Sequence, residues 1–137
     1  MRPIKFRGKR LDNGEWVEGD YFRKYIYDRD DDVSLHHLIG WQVADNDGEM
    51  CNDYEDVDPA TVGQYTGLKD KNGKEIWEGD IVQCKTWQHY VATIIYDDSW
   101  GAFSLRFYPF GSGRRVRVTH KSVKVIGNTI DNPELLK

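Results

Sequence analysis

Apolar and polar residues alternate in short runs along this chain, and Gly, Asn and Asp interrupt the runs every few positions. A period of two places one set of side chains on one face of a strand, so the pattern predicts half-buried β-strands. Ile4 and Phe6 alternate with Lys5 and Arg7, as in an edge or hairpin strand. Residues 21–27 are aromatic and alternating, residues 28–32 form a charged tip, and residues 33–43 read as a strand pair hinged at Gly40. Residues 91–96 are β-branched, Phe103, Leu105 and Phe107 share a face, and residues 115–118 and 123–130 supply two more strands. In the first of these, Arg115 and Arg117 share a face and Val116 and Val118 point inward. Two short helical turns are expected, one capped by Asp58 with Pro59 in its first turn and one with Pro133 in the same place.

The stretch 65–84 organises the rest. Asn72-Gly73 is the strongest hairpin signal, because both residues tolerate the positive φ of a type I′ turn. Ile76-Trp77 follows, then the corner Glu78-Gly79-Asp80, then a strand from Ile81. At the corner Gly79 supplies backbone freedom, and Asp80 is placed to bond nearby amides. Much of this plan occurs earlier. Phe6, Gly8, Asn13 and Gly14 match Tyr65, Gly67, Asn72 and Gly73, and Glu18-Gly19-Asp20 matches Glu78-Gly79-Asp80 after one inserted residue. Residues 44–62 are the most linker-like. The expected fold is therefore mainly β, with an N-terminal β unit carrying acidic loops over 1–60. A small SH3-like β-barrel follows over 61–137, the two joined as related units or as one continuous domain.

Composition agrees. Aromatics reach 13% and Gly numbers thirteen, a mix suited to short strands and tight turns. Cys51 and Cys84 stand alone without metal or redox spacing, as in a reducing cytosol. No apolar run of membrane length and no signal-peptide pattern is seen, so a membrane partner is not expected. The formal charge of −4 hides an asymmetry. Residues 28–58 hold eleven acids and one base, whereas the remainder holds eighteen bases against twelve acids. The bases cluster at Arg2, Lys5, Arg7, Lys9 and Arg10, and again at Arg114, Arg115, Arg117, Lys121 and Lys124.

The run Gln64-Tyr65-Thr66-Gly67-Leu68-Lys69-Asp70-Lys71-Asn72-Gly73-Lys74-Glu75-Ile76, with Glu78-Gly79-Asp80-Ile81-Val82, resembles the signature of the YopX family. Ile4-Lys5-Phe6-Arg7 and Val125-Ile126-Gly127-Asn128, with Asn132-Pro133-Glu134-Leu135-Leu136, resemble the two ends of that pattern, and 21–60 is least covered. The resemblance implies a protein of bacteriophage or prophage origin made in a bacterial cytoplasm. It implies a mostly β fold with a small C-terminal barrel, and it brings no established activity and no catalytic residues.

Catalytic and metal chemistry find little support in the residues. Asp28, Asp30 and Asp32 have the spacing of a calcium loop, but Val33 stands where its glycine belongs and Ile39 where its last glutamate belongs. His36 and His37 are adjacent and face opposite sides of a strand. Cys84 and His89 lack a second pair of zinc ligands. No nucleophile elbow or phosphate-binding glycine loop occurs. No cofactor, no metal and no enzymatic activity are expected. The leading expectation is a binding module that forms a homo-oligomer and docks on a phage or host protein. The alternative is nucleic-acid binding by Arg114, Arg115 and Arg117, with Trp87 and Trp100 for stacking. Asn72, Gly73, Glu78, Gly79 and Asp80 read as a structural motif.

Overall fold

The computed structural model describes residues 3–84, 90–108, 116–118 and 123–136; of Tyr90 and Arg117 only the backbone is described. The protein is mainly β, with two antiparallel sheets and two 3-10 turns among the described residues. It divides into two compact units, Pro3–Gln64 and Tyr65–Lys137.

The first unit contains β1 (Phe6–Lys9), β2 (Trp16–Tyr27), β3 (Val33–Ala44), β4 (Met50–Asp56), a 3-10 turn Pro59–Thr61 and the start of β5 (Gly63–Lys69). Its strands lie in the order β4-β3-β2-β1-β5. Leu38, Ile39 and Val57 are fully buried, and Gly8 leaves room for Ile39 and Val57 beside it. Two expectations are corrected here. Residues 33–43 lie within one twelve-residue strand, and β3 passes through Gly40 without a hinge. The linker-like stretch 44–62 contains β4, paired with β3 from Ala44↔Met50 to Leu38↔Asp56. Its side chains are mostly exposed, so the burial of one face, which produces alternation, is missing from the sequence.

The second unit contains the rest of β5, then β6 (Glu75–Trp77), β7 (Asp80–Cys84), β8 (Tyr90–Asp97), β9 (Ala102–Tyr108), β10 (Val116–Arg117), β11 (Val123–Asn128) and a 3-10 turn Pro133–Leu136. Five of its strands make a sheet in the order β10-β9-β8-β7-β11. Val82, Cys84, Ala92, Ile94, Leu105, Val123 and Val125 form the core with Ile76 of β6, and Leu68 packs against it. Pairing among the described residues runs from β10 to β11, and no pairing among them joins these two strands into the expected SH3-like barrel.

Three hairpins share one loop. Asp28, Asp45 and Asp70 each begin a five-residue closure in which the first N–H donates to the fifth C=O, at 2.9, 2.8 and 2.7 Å. Each Asp also accepts the N–H groups of the third and fifth residues on Oδ1, at 2.8 to 3.0 Å. The fourth residue is left-handed: Asp31 at φ 60°, Gly48 at 81° and Gly73 at 82°. This is a type I turn followed by a left-handed bulge residue. The type I′ expectation at Asn72-Gly73 is thereby corrected, since Asn72 keeps a negative φ. The calcium-like spacing at 28–32 also has its explanation, because the Asp28 carboxylate closes its own loop.

The repeated tripeptide does two different jobs. Gly79 sits at φ 89°, donates to Ile94 O at 2.8 Å and accepts from Thr129 N–H at 2.9 Å, while Asp80 Oδ2 accepts the Trp77 N–H at 2.8 Å. Glu78-Gly79-Asp80 is a corner. Gly19 instead lies inside β2, opposite Phe6. The shared residues therefore do not make equivalent units.

Candidate functional site

Aromatic and β-branched residues over 21–27 and a largely alternating run over 33–43 suit the long strands β2 and β3. Their neighbours are shorter. β1 pairs with β2 only over Trp16–Gly19, and β4 leaves β3 at Asp56. The rungs Arg23↔His37, Lys24↔His36, Tyr25↔Leu35, Ile26↔Ser34 and Tyr27↔Val33 therefore extend as a two-stranded arm. Cross-strand partners share a face, so Tyr25, Tyr27, Val33 and Leu35 stand together on one side. All four are exposed, Tyr25 by 66% and Tyr27 by 70%. At the arm's tip four aspartates and Arg29 carry a net charge of −3.

Two side-chain pairs brace the base of the arm. Tyr21 Oη bonds His37 Nδ1 at 2.6 Å and stacks on its ring, and Phe6 packs against Tyr21 with centroids 5.8 Å apart. Phe22 meets Tyr54 edge-on across the other face. Ser34 Oγ lies 2.9 Å from His36 Nε2, and His36 Nδ1 lies 2.5 Å from Asp56 Oδ1. This row was not foreseen from the sequence, because Asp56 joins Ser34 and His36 only through the β3–β4 register. The order matches a nucleophile, its base and an orienting acid. Ser34 is exposed, however, and His36 and Asp56 are only half-buried, so the row lacks the enclosure that strengthens the electrostatics of a catalytic site. We read the row as bracing for the arm.

Beside it, a cleft of about 600 Å³ is lined by Leu11, Leu35, Val57 and Pro59, and by Asp12, Glu55, Asp56, His36 and His37. Arg10 bonds Asp12 twice, at 2.9 and 2.6 Å, and approaches Glu55 at 3.2 Å. The side-chain bond to Arg10 is the main cause holding the Asp12 carboxyl below its ordinary range.

In the second unit a cleft of about 550 Å³ is lined by Thr66, Gly67, Leu68, Tyr96, Trp100, Phe103 and Val118. Trp100, a candidate from the sequence, is 42% exposed on the loop that Asp97 closes through Ser99, Trp100 and Gly101. Trp87, Arg114 and Arg115 lie outside the described residues. The backbone of Arg117 pairs with Ser104; Arg106 of β9 and Lys124 of β11, the latter opposite Gln83, are exposed. Arg106 was not among the expected residues. Strand parity, with Leu105 and Phe107 inward, was the signal that identifies it. Among the described residues no group of three His, Cys, Asp or Glu side chains is placed to hold a metal, and no helix is long and apolar enough to cross a membrane. Cys51 is exposed, and burial pushes the Cys84 thiol pKa up.

A family model described as YopX protein matches residues 5–137. The solved structures include one described as the crystal structure of protein EF1440 from Enterococcus faecalis. It is similar to this chain with 26% identity over the whole of both chains and a TM-score of 0.54. No curated protein matches the chain.

Proposed function

The chain belongs to the YopX family, and on that premise we propose that it is a non-enzymatic interaction module that forms a homo-oligomer through its β2–β3 arm. The observation that carries this reading is the exposed face of Tyr25, Tyr27, Val33 and Leu35 on a ribbon with no third strand beside it among the described residues. An isolated two-stranded hairpin is marginal in water, and a contiguous apolar patch of this kind marks an interaction surface. Two tyrosines in one patch are apt anchors, since they bury large area at small entropic cost. The wider reading is of a bacteriophage or prophage accessory protein that works in the bacterial cytoplasm by binding a phage or host protein.

The test is the mass in solution by light scattering. The wild-type chain is expected at a multiple of 16.0 kDa, and Tyr25→Ser/Tyr27→Ser is expected to return it to the single-chain mass with its circular dichroism unchanged. A wild-type chain that stays at 16.0 kDa at its highest soluble concentration overturns the proposal.

A second reading, nucleic-acid binding, is favoured by Arg106 and Lys124, exposed on one face of the second sheet. Cations on a sheet face bind phosphate with a steep salt dependence. Fluorescence anisotropy with single- and double-stranded oligonucleotides is expected, on this reading, to show binding that falls with salt and is lost in Arg106→Ala/Lys124→Ala. No binding at low salt removes it.

A further inference from the structure

The same arm carries an open backbone edge, and its chemistry specifies an occupant. Val57 N–H donates to His37 O at 2.9 Å, so His37 turns its backbone groups toward the β4 side. Backbone direction repeats every second residue along a strand. Leu35 N–H and C=O therefore point to that side too, beyond the last β3–β4 rung at Leu38↔Asp56. The chain does not follow them: Val57 turns away to bridge Arg10. The vacated lane is the cleft of about 600 Å³.

The lining of the lane is two-sided. Leu11, Val57 and Pro59 are apolar, while Asp12, Glu55 and Asp56 are carboxylates, the first two sharing Arg10 and the third bonded to His36. Continuing outward, the lane leads to the tip at 28–32, which carries a net −3. We propose that this edge accepts an extended, lysine- or arginine-bearing segment of another protein as an added strand. This rests on the arm being an interaction element. The ladder with Leu35 supplies main-chain bonds; alternate side chains reach the apolar wall and the carboxylates. The acidic tip attracts and orients the cationic segment, and it disfavours acidic competitors.

The probe is a fluorescein-labelled, end-blocked octapeptide of alternating Lys and Val, titrated by anisotropy at physiological salt. Saturable binding is expected, with binding at least about tenfold weaker for the Glu-Val counterpart and for Glu55→Gln/Asp56→Asn. Leu35→Pro removes an N–H that points away from β2, a position where an edge strand tolerates proline, and is expected to abolish binding. A Lys-Val peptide N-methylated at alternate residues repeats that test on the unaltered protein, and is expected not to bind. No binding of the Lys-Val peptide, or equal binding of the Glu-Val or N-methylated peptide, overturns the proposal. So does a fall in wild-type mass when the Lys-Val peptide is added at saturation, because the edge is then occupied by a second copy. The Tyr25→Ser/Tyr27→Ser mass measurement is independent of these titrations. A mass shift there without peptide binding rejects the edge while keeping the arm.

Discussion

Asp70→Ala is expected to destabilise the second unit by about 3–5 kcal/mol, because it strands up to three backbone donors at once. Asp70 is only 5% exposed. Its Oδ1 accepts Asn72 N–H at 2.8 Å and Lys74 N–H at 2.9 Å, and its Oδ2 accepts Val125 N–H at 2.9 Å. One carboxylate thus closes the β5–β6 loop and pins that loop to β11, fifty-five residues later. Burial alone would push its pKa up. The bonds from Val125, Lys74 and Asn72, with the charge of Lys74, outweigh burial and bring the pKa below its ordinary value. A depressed folded pKa contributes stability above the unfolded value of about 3.9, and that contribution is lost as pH falls through the folded value. The stability advantage of wild type over Asp70→Asn should therefore be full near neutrality and shrink in acid. Urea midpoints of wild type, Asp70→Ala and Asp70→Asn at several pH values check this. An Asp70→Ala midpoint equal to wild type would show that the three donors find other partners.

Gly19→Ala is expected to cost about 4 kcal/mol or more in the first unit. A Cβ built at Gly19 stands 2.1 Å from the Gly40 carbonyl oxygen, a backbone atom of the neighbouring strand, and 3.2 Å from Ile39 Cγ2. No rotamer relieves such a contact. The β2–β3 pair must open at the base of the arm, beside fully buried Leu38 and Ile39. Gly14→Ala is the control, because Gly14 has φ 70° but nothing within 4 Å of its added Cβ. That change should cost about 1 kcal/mol from backbone strain alone. Thermal melts that rank Gly19→Ala no worse than Gly14→Ala would contradict the packing account. Because Gly19 lies at the foot of the arm, its replacement should also lower the self-association proposed for Tyr25 and Tyr27.

Much of this architecture was legible in the residues, for local reasons. Gly73 and Gly79 adopt positive φ where a turn and a corner were expected. Asp58 caps its 3-10 turn by accepting the Ala60 N–H at 3.0 Å. Phe103 and Leu105 are buried in the core as their spacing demands, with Phe107 packed against it. Where the sequence misled, a residue's neighbours outweighed its type. Glu18-Gly19-Asp20 and Glu78-Gly79-Asp80 have the same letters, yet Gly79 needs its absent Cβ for a left-handed turn and Gly19 needs it for a close strand approach. β4 was obscured because an exposed edge strand takes its order from backbone pairing with β3 and has little burial to impose a pattern. Of the proposed binding residues, Trp100 borders a cleft, but the partners it faces come from β5, β9 and the residue after β10.

The sequence by itself determined the strand-rich character, the turn residues and the inward faces, together with membership of the family. These depend on backbone preferences and two-residue periodicity, which are short-range. Only the tertiary structure decided where each strand outlasts its neighbours. That difference in length is a property of pairs of strands distant in sequence, so no single run of residues encodes it. It turns Tyr25, Tyr27, Val33 and Leu35 from ordinary strand positions into an exposed arm, and it opens the edge at Leu35.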